Sequence, residues 1–157
     1  MELERAKKYT ANLLSSKMYT CREVYQRLVR KGFGEEIAEQ TVGEFCRAGI
    51  LDDAQYAEMY IHDAINIHMK GMFRIKQELI KKGIAPGIID RAIQNSEEDT
   101  LSQLIEYVKL RFGDREFSDR RDIEKAKAHL LRRGYSYSDI NKCFDELDIK
   151  VDGGKWY

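Results

Sequence analysis

Three stretches of this chain gather arginine and lysine in a way that would suit the phosphate of a nucleic acid. Residues 22–33 hold Arg22, Arg27, Arg30 and Lys31 against Glu23 alone, a net of +3. Residues 70–82 hold Lys70, Arg74, Lys76, Lys81 and Lys82 against Glu78, and residues 120–133 hold six basic side chains against Asp122 and Glu124; each nets +4. Each is followed by an acidic stretch: residues 35–46 carry −4, and residues 87–99 and 138–148 carry −3 each. The formal charge of zero, from 27 basic and 27 acidic residues, is therefore a cancellation of segregated charge. Charge sorted in this way can bind a polyanion that the sum alone would exclude. Lys31, Lys82 and Arg133 each stand one residue before a glycine. There a cation also answers the negative end of a helix, so a purely structural role is open for these three. Arg22, Arg74, Lys76, Arg121 and Lys125 are expected in first turns, where the helix dipole favours acids, so a ligand is the better reason for them. The candidate contact set for DNA phosphate is Arg22, Arg27, Lys70, Arg74, Lys76, Lys82, Arg121, Lys125 and Arg132.

Other reactive residue types do not assemble into chemistry. No glycine-rich phosphate loop, His-Glu-x-x-His or Gly-x-Ser-x-Gly occurs. Asp52-Asp53 and Glu97-Glu98-Asp99 are adjacent carboxylates, and neighbours on a helix diverge by about 100°, so they do not converge on one ion. Asp52 reads as a helix cap. Cys21, Cys46 and Cys143 form no Cys-x-x-Cys and take no zinc-ligand spacing with His62, His68 and His129; they read as small buried thiols. Tyr56, Tyr60 and Phe73 could stack on bases. The helical spacing of Tyr56 and Tyr60 favours packing in a core or between repeats. Neither catalysis nor a cofactor nor a metal is expected.

The elements that must carry these charges repeat every 51 residues. Val24–Phe33, Ile75–Ile84 and Ala126–Tyr135 overlay without a gap, aligning Leu28, Leu79 and Leu130, then Lys31, Lys82 and Arg133, then Gly32, Gly83 and Gly134. The register continues through Ala38, Ile89 and Ile140 and through Val42, Ile93 and Phe144. Each repeat reads as three helices. In the first, a stripe of Leu3, Ala6, Leu13 and Leu14 ends at Ser15-Ser16, and Thr20 with Glu23 forms a capping box. Gly32 then stops the second helix, and a third runs from about Glu35 to Ala48. In the second repeat, a helix from Asp52 to about Met69 is followed by a break at Gly71 and a helix ending at Gly83, with Pro86 in the first turn of the next. In the third, the apolar positions are Leu101 to Phe112, Ile123 to Leu131 and Ile140 to Leu147. No alternating run is long enough for a strand. The expected fold is all-α, an elongated, curved array of three tandem three-helix repeats at 1–49, 50–99 and 100–148, with a flexible tail at 149–157. Of the 157 residues 43% are hydrophobic, and no apolar window reaches the ~18 residues needed to cross a bilayer. The reading is a cytoplasmic monomer without membrane contact.

Leu51-Asp-Asp-Ala-Gln-Tyr-Ala57, followed by Gly71-Met-Phe-Arg-Ile-Lys-Gln-Glu-Leu-Ile-Lys-Lys-Gly-Ile84, resembles the central signature of the RecX family. The Leu-Val-Arg-Lys-Gly ending of the first repeat is similar too, and the likeness spans roughly residues 5–147. Met72 departs from the proline that many members carry there, which leaves that helix start open to fraying. The resemblance implies a non-enzymatic regulator of the RecA recombinase in DNA repair. Such regulators bind along the groove of the RecA–DNA filament and usually inhibit its ATPase, strand exchange and coprotease roles. Joined to the charge map, it places basic second helices on filament DNA and acidic third helices on the recombinase. The alternative is a Myb-like triple-repeat protein on duplex DNA, although those units carry several core tryptophans and Trp156 is the sole one here. A scaffold with no nucleic-acid affinity is the third reading.

Overall fold

A computed structural model describes residues 1–113, 117 and 119–149. Among the described residues there are nine α-helices and no strand: α1 (Glu2–Leu14), α2 (Cys21–Lys31), α3 (Glu35–Arg47), α4 (Asp53–Asn66), α5 (Met72–Lys81), α6 (Pro86–Asn95), α7 (Thr100–Phe112), α8 (Arg120–Arg132) and α9 (Tyr137–Glu146). The tail expected at 149–157 lies, beyond residue 149, outside the described residues.

Local chemistry starts and stops these helices. The Thr20 hydroxyl accepts from the Glu23 amide while the Glu23 carboxylate accepts from the Thr20 amide, the reciprocal box expected ahead of α2. The Asp52 carboxylate accepts from the Gln55 amide at 3.1 Å, so it caps α4. Asp99, Asp119 and Ser136 cap α7, α8 and α9 in the same way. The two hydrogen bonds from Ser102, backbone first, hold the Asp99 carboxyl below its ordinary range. Asp99 is thus a cap, rather than a member of an acidic cluster with Glu97 and Glu98.

One boundary and two first-turn placements differ from expectation. Helix α4 stops at Asn66, not Met69, because the backbone unwinds there and Met69 turns into the left-handed region at φ +50. The cap at Asp119 starts α8 at Arg120, three residues before Ile123, so Lys125 falls in its second turn. Lys76 likewise lies beyond the first turn of α5. The dipole argument therefore holds for Arg22, Arg74 and Arg121 but not for Lys76 and Lys125.

The described chain packs as two compact units, Met1–Tyr60 with Glu78–Asn95, and Ile61–Gln77 with the described residues from Ser96 on. The first is built on Ala6, Val24, Leu28, Ala38, Phe45 and Leu51, and the Lys7 ammonium meets the Glu44 carboxylate at 2.7 Å to tie α1 to α3. The second is built on Leu104, Val108, Ile123, Leu130, Ile140 and Phe144. The 51-residue register is a register of burial. Leu28, Leu79 and Leu130 are fully enclosed, as are Ala38, Ile89 and Ile140.

Each unit contains the same joint. In the first, the Thr20 hydroxyl at the start of α2 donates to the Lys82 carbonyl at the end of α5, and the Arg22 stem lies on Gly83. In the second, at positions 51 residues on, the Gly71 amide donates to the Arg133 carbonyl and the Phe73 amide to the Gly134 carbonyl, at 2.8 and 3.1 Å. These bonds fasten the start of α5 at Met72, so it is not left to fray. A Cβ at Gly71 would enter the backbone of Gly134 and Tyr135. Gly71→Ala should therefore cost roughly 2–3 kcal/mol in urea unfolding. Gly87→Ala, where a Cβ meets nothing within 4 Å on α6, should change stability by at most about 1 kcal/mol, in the favourable direction.

Candidate functional site

The nine candidate cations divide by how firmly the fold already holds them. Arg121, Lys125 and Arg132 are exposed on α8. Their spacing of four and seven residues puts them on one stripe of that helix, about 16 Å from end to end. Arg22 has an exposed side chain at the second position of α2. Arg27 is half-buried with its guanidinium 4.9 Å from the centre of the Tyr19 ring, which Lys17 approaches at 4.8 Å. Lys70, Arg74 and Lys76 are half-buried around the start of α5.

Lys82 is the most constrained. Its ammonium lies 3.6 Å from Glu23 and sits over the rings of Tyr56 and Tyr60 at 5.8 and 5.7 Å. Partial burial works to lower its pKa, but bonding to Tyr56 and the charge of Glu23 carry it above the ordinary lysine value. The tyrosines stack on each other at 6.1 Å, and Tyr60 donates its hydroxyl to Glu78. Tyr56 and Tyr60 are half-buried, stacked on each other rather than enclosed in a core, while Phe73 is 64% exposed. A groove of about 420 Å³ lined by Glu23, Gln26, Tyr60, Glu78, Lys81 and Lys82 opens here. Its two carboxylates offset the two lysines, so the groove offers a phosphate no net positive charge.

The constraint on Lys82 recurs at the equivalent positions. Lys31 lies 5.7 Å from the Tyr9 ring and Arg133 lies 4.8 Å from the Tyr107 ring. The cation before each terminal glycine therefore rests on an aromatic of its own repeat's first helix, a contact that stabilises by about 0.5–1 kcal/mol when exposed and more when dry. The sequence carried a signal for this that charge counting misses, because Tyr9 and Tyr60, like Tyr56 and Tyr107, stand 51 residues apart. Arg133 adds to it by donating to the His68 carbonyl at 2.6 Å and to the Met69 carbonyl, which also accepts from the Tyr135 hydroxyl at 2.7 Å. Burial raises the Tyr135 pKa to about 12, so that donor is retained at ordinary pH.

Beneath Arg133 the Tyr107 hydroxyl meets His129 Nε2 at 2.7 Å, and the two rings stack. Burial first, then Arg111, Arg133 and Arg132, lower the His129 pKa.

The cysteines depart from expectation. Cys143 is buried, but Cys21 is half-buried and Cys46 is exposed. Among the described residues no three His, Cys, Asp or Glu side chains converge as metal ligands, and no helix is long and apolar enough to cross a membrane.

Comparison with known proteins accounts for the triplicate design. Models of the first, second and third three-helix domains of RecX match residues 6–45, 52–93 and 97–144. The chain belongs to the RecX family. Regulatory protein RecX of Trichlorobacter lovleyi is 31% identical over 141 residues, covering 85% of this chain and 90% of that protein. The Halorhodospira halophila protein of the same name is 29% identical, covering 92% and 89%. Against the Bacillus cytotoxicus relative, 28% identical, the alignment covers 98% of this chain but only 58% of the longer protein. The crystal structure of RecX from Lactobacillus salivarius superposes with a TM-score of 0.80 at 28% identity, covering 94% of this chain and 97% of that one. The family is a regulatory one rather than an enzyme family.

Two measurements test the RecX-family chain's third repeat. Arg133→Lys keeps the charge but loses the planar fork that reaches two carbonyls, and should cost about 1–2 kcal/mol in urea unfolding. It should couple by more than about 0.5 kcal/mol with Tyr135→Phe, which shares the Met69 carbonyl. The lowered His129 pKa means that the unfolded chain binds the proton more readily. The stability contributed by neutral His129 is therefore complete above its unfolded pKa of about 6.5 and drains away as pH falls below it. His129→Phe should flatten the loss of stability between about pH 7 and about pH 5.

Proposed function

We propose that this RecX-family chain binds the RecA–DNA filament as a monomer and restrains recombinase activity, with its second helices toward DNA phosphate. The observation that carries this reading is the sorting of charge by helix. The +4 segment containing α8 presents Arg121, Lys125 and Arg132 as an exposed stripe, while acidic residues collect on α3 and α9 and at Glu97, Glu98 and Asp99 between α6 and α7. Arg22 extends the basic set on α2, and Lys70, Arg74 and Lys76 on the segment of α5. The cations committed to internal rings and carbonyls, Lys82 foremost, serve mainly to hold the second helices in place, and through them the binding surface. The acidic helices α3 and α9 face the protein part of the filament; α6 does not join them, because Asp90 and Arg91 cancel on it and Glu97, Glu98 and Asp99 lie beyond its end. Contacts to phosphate are indifferent to base sequence and released by salt.

The test is filament binding across a salt series with purified RecA on single-stranded DNA. Arg121→Glu, Lys125→Glu and Arg132→Glu together should weaken binding at least tenfold near physiological salt. The slope of log affinity against log salt should become shallower by roughly 0.7 for each phosphate that is no longer neutralised. RecA ATPase should be correspondingly less inhibited, with the thermal midpoint of the variant unchanged. Unaltered affinity and slope would remove DNA from the proposal. Sequence-dependent binding to duplex DNA without RecA would replace it with the Myb-like alternative.

A further inference from the structure

The first repeat contains a feature that regulation of a filament does not use. Cys21 is the first residue of α2 and Cys46 the penultimate residue of α3. Their sulfurs lie 2.9 Å apart. A disulfide needs about 2.05 Å, so closure requires less than about 1 Å of movement. Both carriers are firmly placed. The Cys21 amide donates to the Asp53 carboxylate at 2.9 Å, and Thr20 beside it caps α2 and donates to the Lys82 carbonyl. Cys46 lies in the last turn of α3, where the Ile50 and Leu51 amides both donate to the Phe45 carbonyl. Two thiols on separate helices are thus held in contact, one exposed and the other half-buried behind it.

We infer that Cys21 and Cys46 are a modification site, forming a reversible intramolecular disulfide when the protein meets a peroxide. The exposed Cys46 sulfur attacks one peroxide oxygen, the O–O bond breaks, and water leaves, giving a sulfenic acid at Cys46. The Cys21 sulfur then attacks that sulfur; the S–O bond breaks, and the hydroxyl leaves with the Cys21 proton as a second water. In sum two thiols lose two hydrogens and hydrogen peroxide becomes two waters. Burial, the bond to Cys46 and the charge of Asp53 raise the Cys21 pKa, so Cys21 waits as a thiol and Cys46 reacts first. Cys143 is buried, and burial raises its pKa to about 12, which leaves it outside the exchange. The linkage would close a loop from residue 21 to residue 46 beside the Thr20–Lys82 joint. A dithiol reductant returns both thiols.

The experiment treats the full-length protein with hydrogen peroxide, alkylates it under denaturing conditions and maps its peptides by mass spectrometry. The expected product is a monomer lighter by two hydrogens, with the Cys21 and Cys46 peptides joined, Cys143 alkylated, and the link reversed by dithiothreitol. Cys143→Ser should still form it, and Cys21→Ser and Cys46→Ser should each abolish it. The oxidised protein should melt roughly 5 °C or more higher, as expected for a crosslink that confines the unfolded chain. Dimers joined through Cys46, Cys46 oxidised to sulfinic acid with Cys21 still free, or a melting point that falls on oxidation would each overturn the proposal.

Discussion

A helix leaves its last carbonyls without partners, and the way α5 and α8 dispose of theirs governs the rest of the molecule. The Lys82 carbonyl takes a hydroxyl from Thr20, and the Arg133 carbonyl takes an amide from Gly71. In each case the donor is the start of the preceding repeat's second helix. Glycine at 83 and 134 makes this possible twice over. It adopts the positive φ that ends the helix, and it lacks the Cβ that would collide with Arg22 or with the Arg74 backbone. At Gly32 the φ is equally positive but nothing stands within 4 Å, so there the turn alone calls for glycine.

The joint creates an electrostatic problem that the fold resolves locally. Setting the start of one basic helix against the end of another brings Arg22 to Lys82 and Arg74 to Arg133. In the first unit Glu23 answers Lys82 while also completing the cap of α2, so one carboxylate serves both a helix end and a cation. In the second unit Arg133 turns its fork onto the carbonyls of His68 and Met69. Aromatic rings take up what remains of both charges. The result divides the basic residues into those that maintain the array and those, on α8 above all, whose charge is left to solvent or a ligand.

The sequence disclosed the period, the helices and the enclosed positions because each follows from short-range rules. A leucine four residues before a helix-ending glycine must face inward, and a Thr-x-x-Glu before an apolar run must cap. What stayed hidden depended on contacts between residues distant in the chain. Nothing near Met69 announces that Arg133 and Tyr135 will take its carbonyl and end α4 early. Nothing near Cys46 announces that it will lie uncovered against Cys21. Position along the helix separated Lys82 from Arg121 in the sequence, but not the reason, that one lies over two rings while the other is bare.

That distinction bears on how a chain of zero net charge could hold a polyanion at all. Attraction at close range is set by charges within about a Debye length, roughly 8 Å at physiological salt, rather than by the total. Arg121, Lys125 and Arg132 recur at helical spacing along α8, so neighbouring members of the stripe lie about 6 to 10 Å apart, near the range over which their fields combine. Asp122 and Glu124 share α8 and offset part of that field, while the acids of residues 138–148 lie on α9 or just past its end. Residues already fixed to rings and carbonyls release less ordering entropy to any ligand, but they have also been desolvated, so removing their charge harms folding before it harms binding. On the proposed reading, recognition and folding draw on different members of one basic set, and substitutions on α8 are the ones that would separate the two.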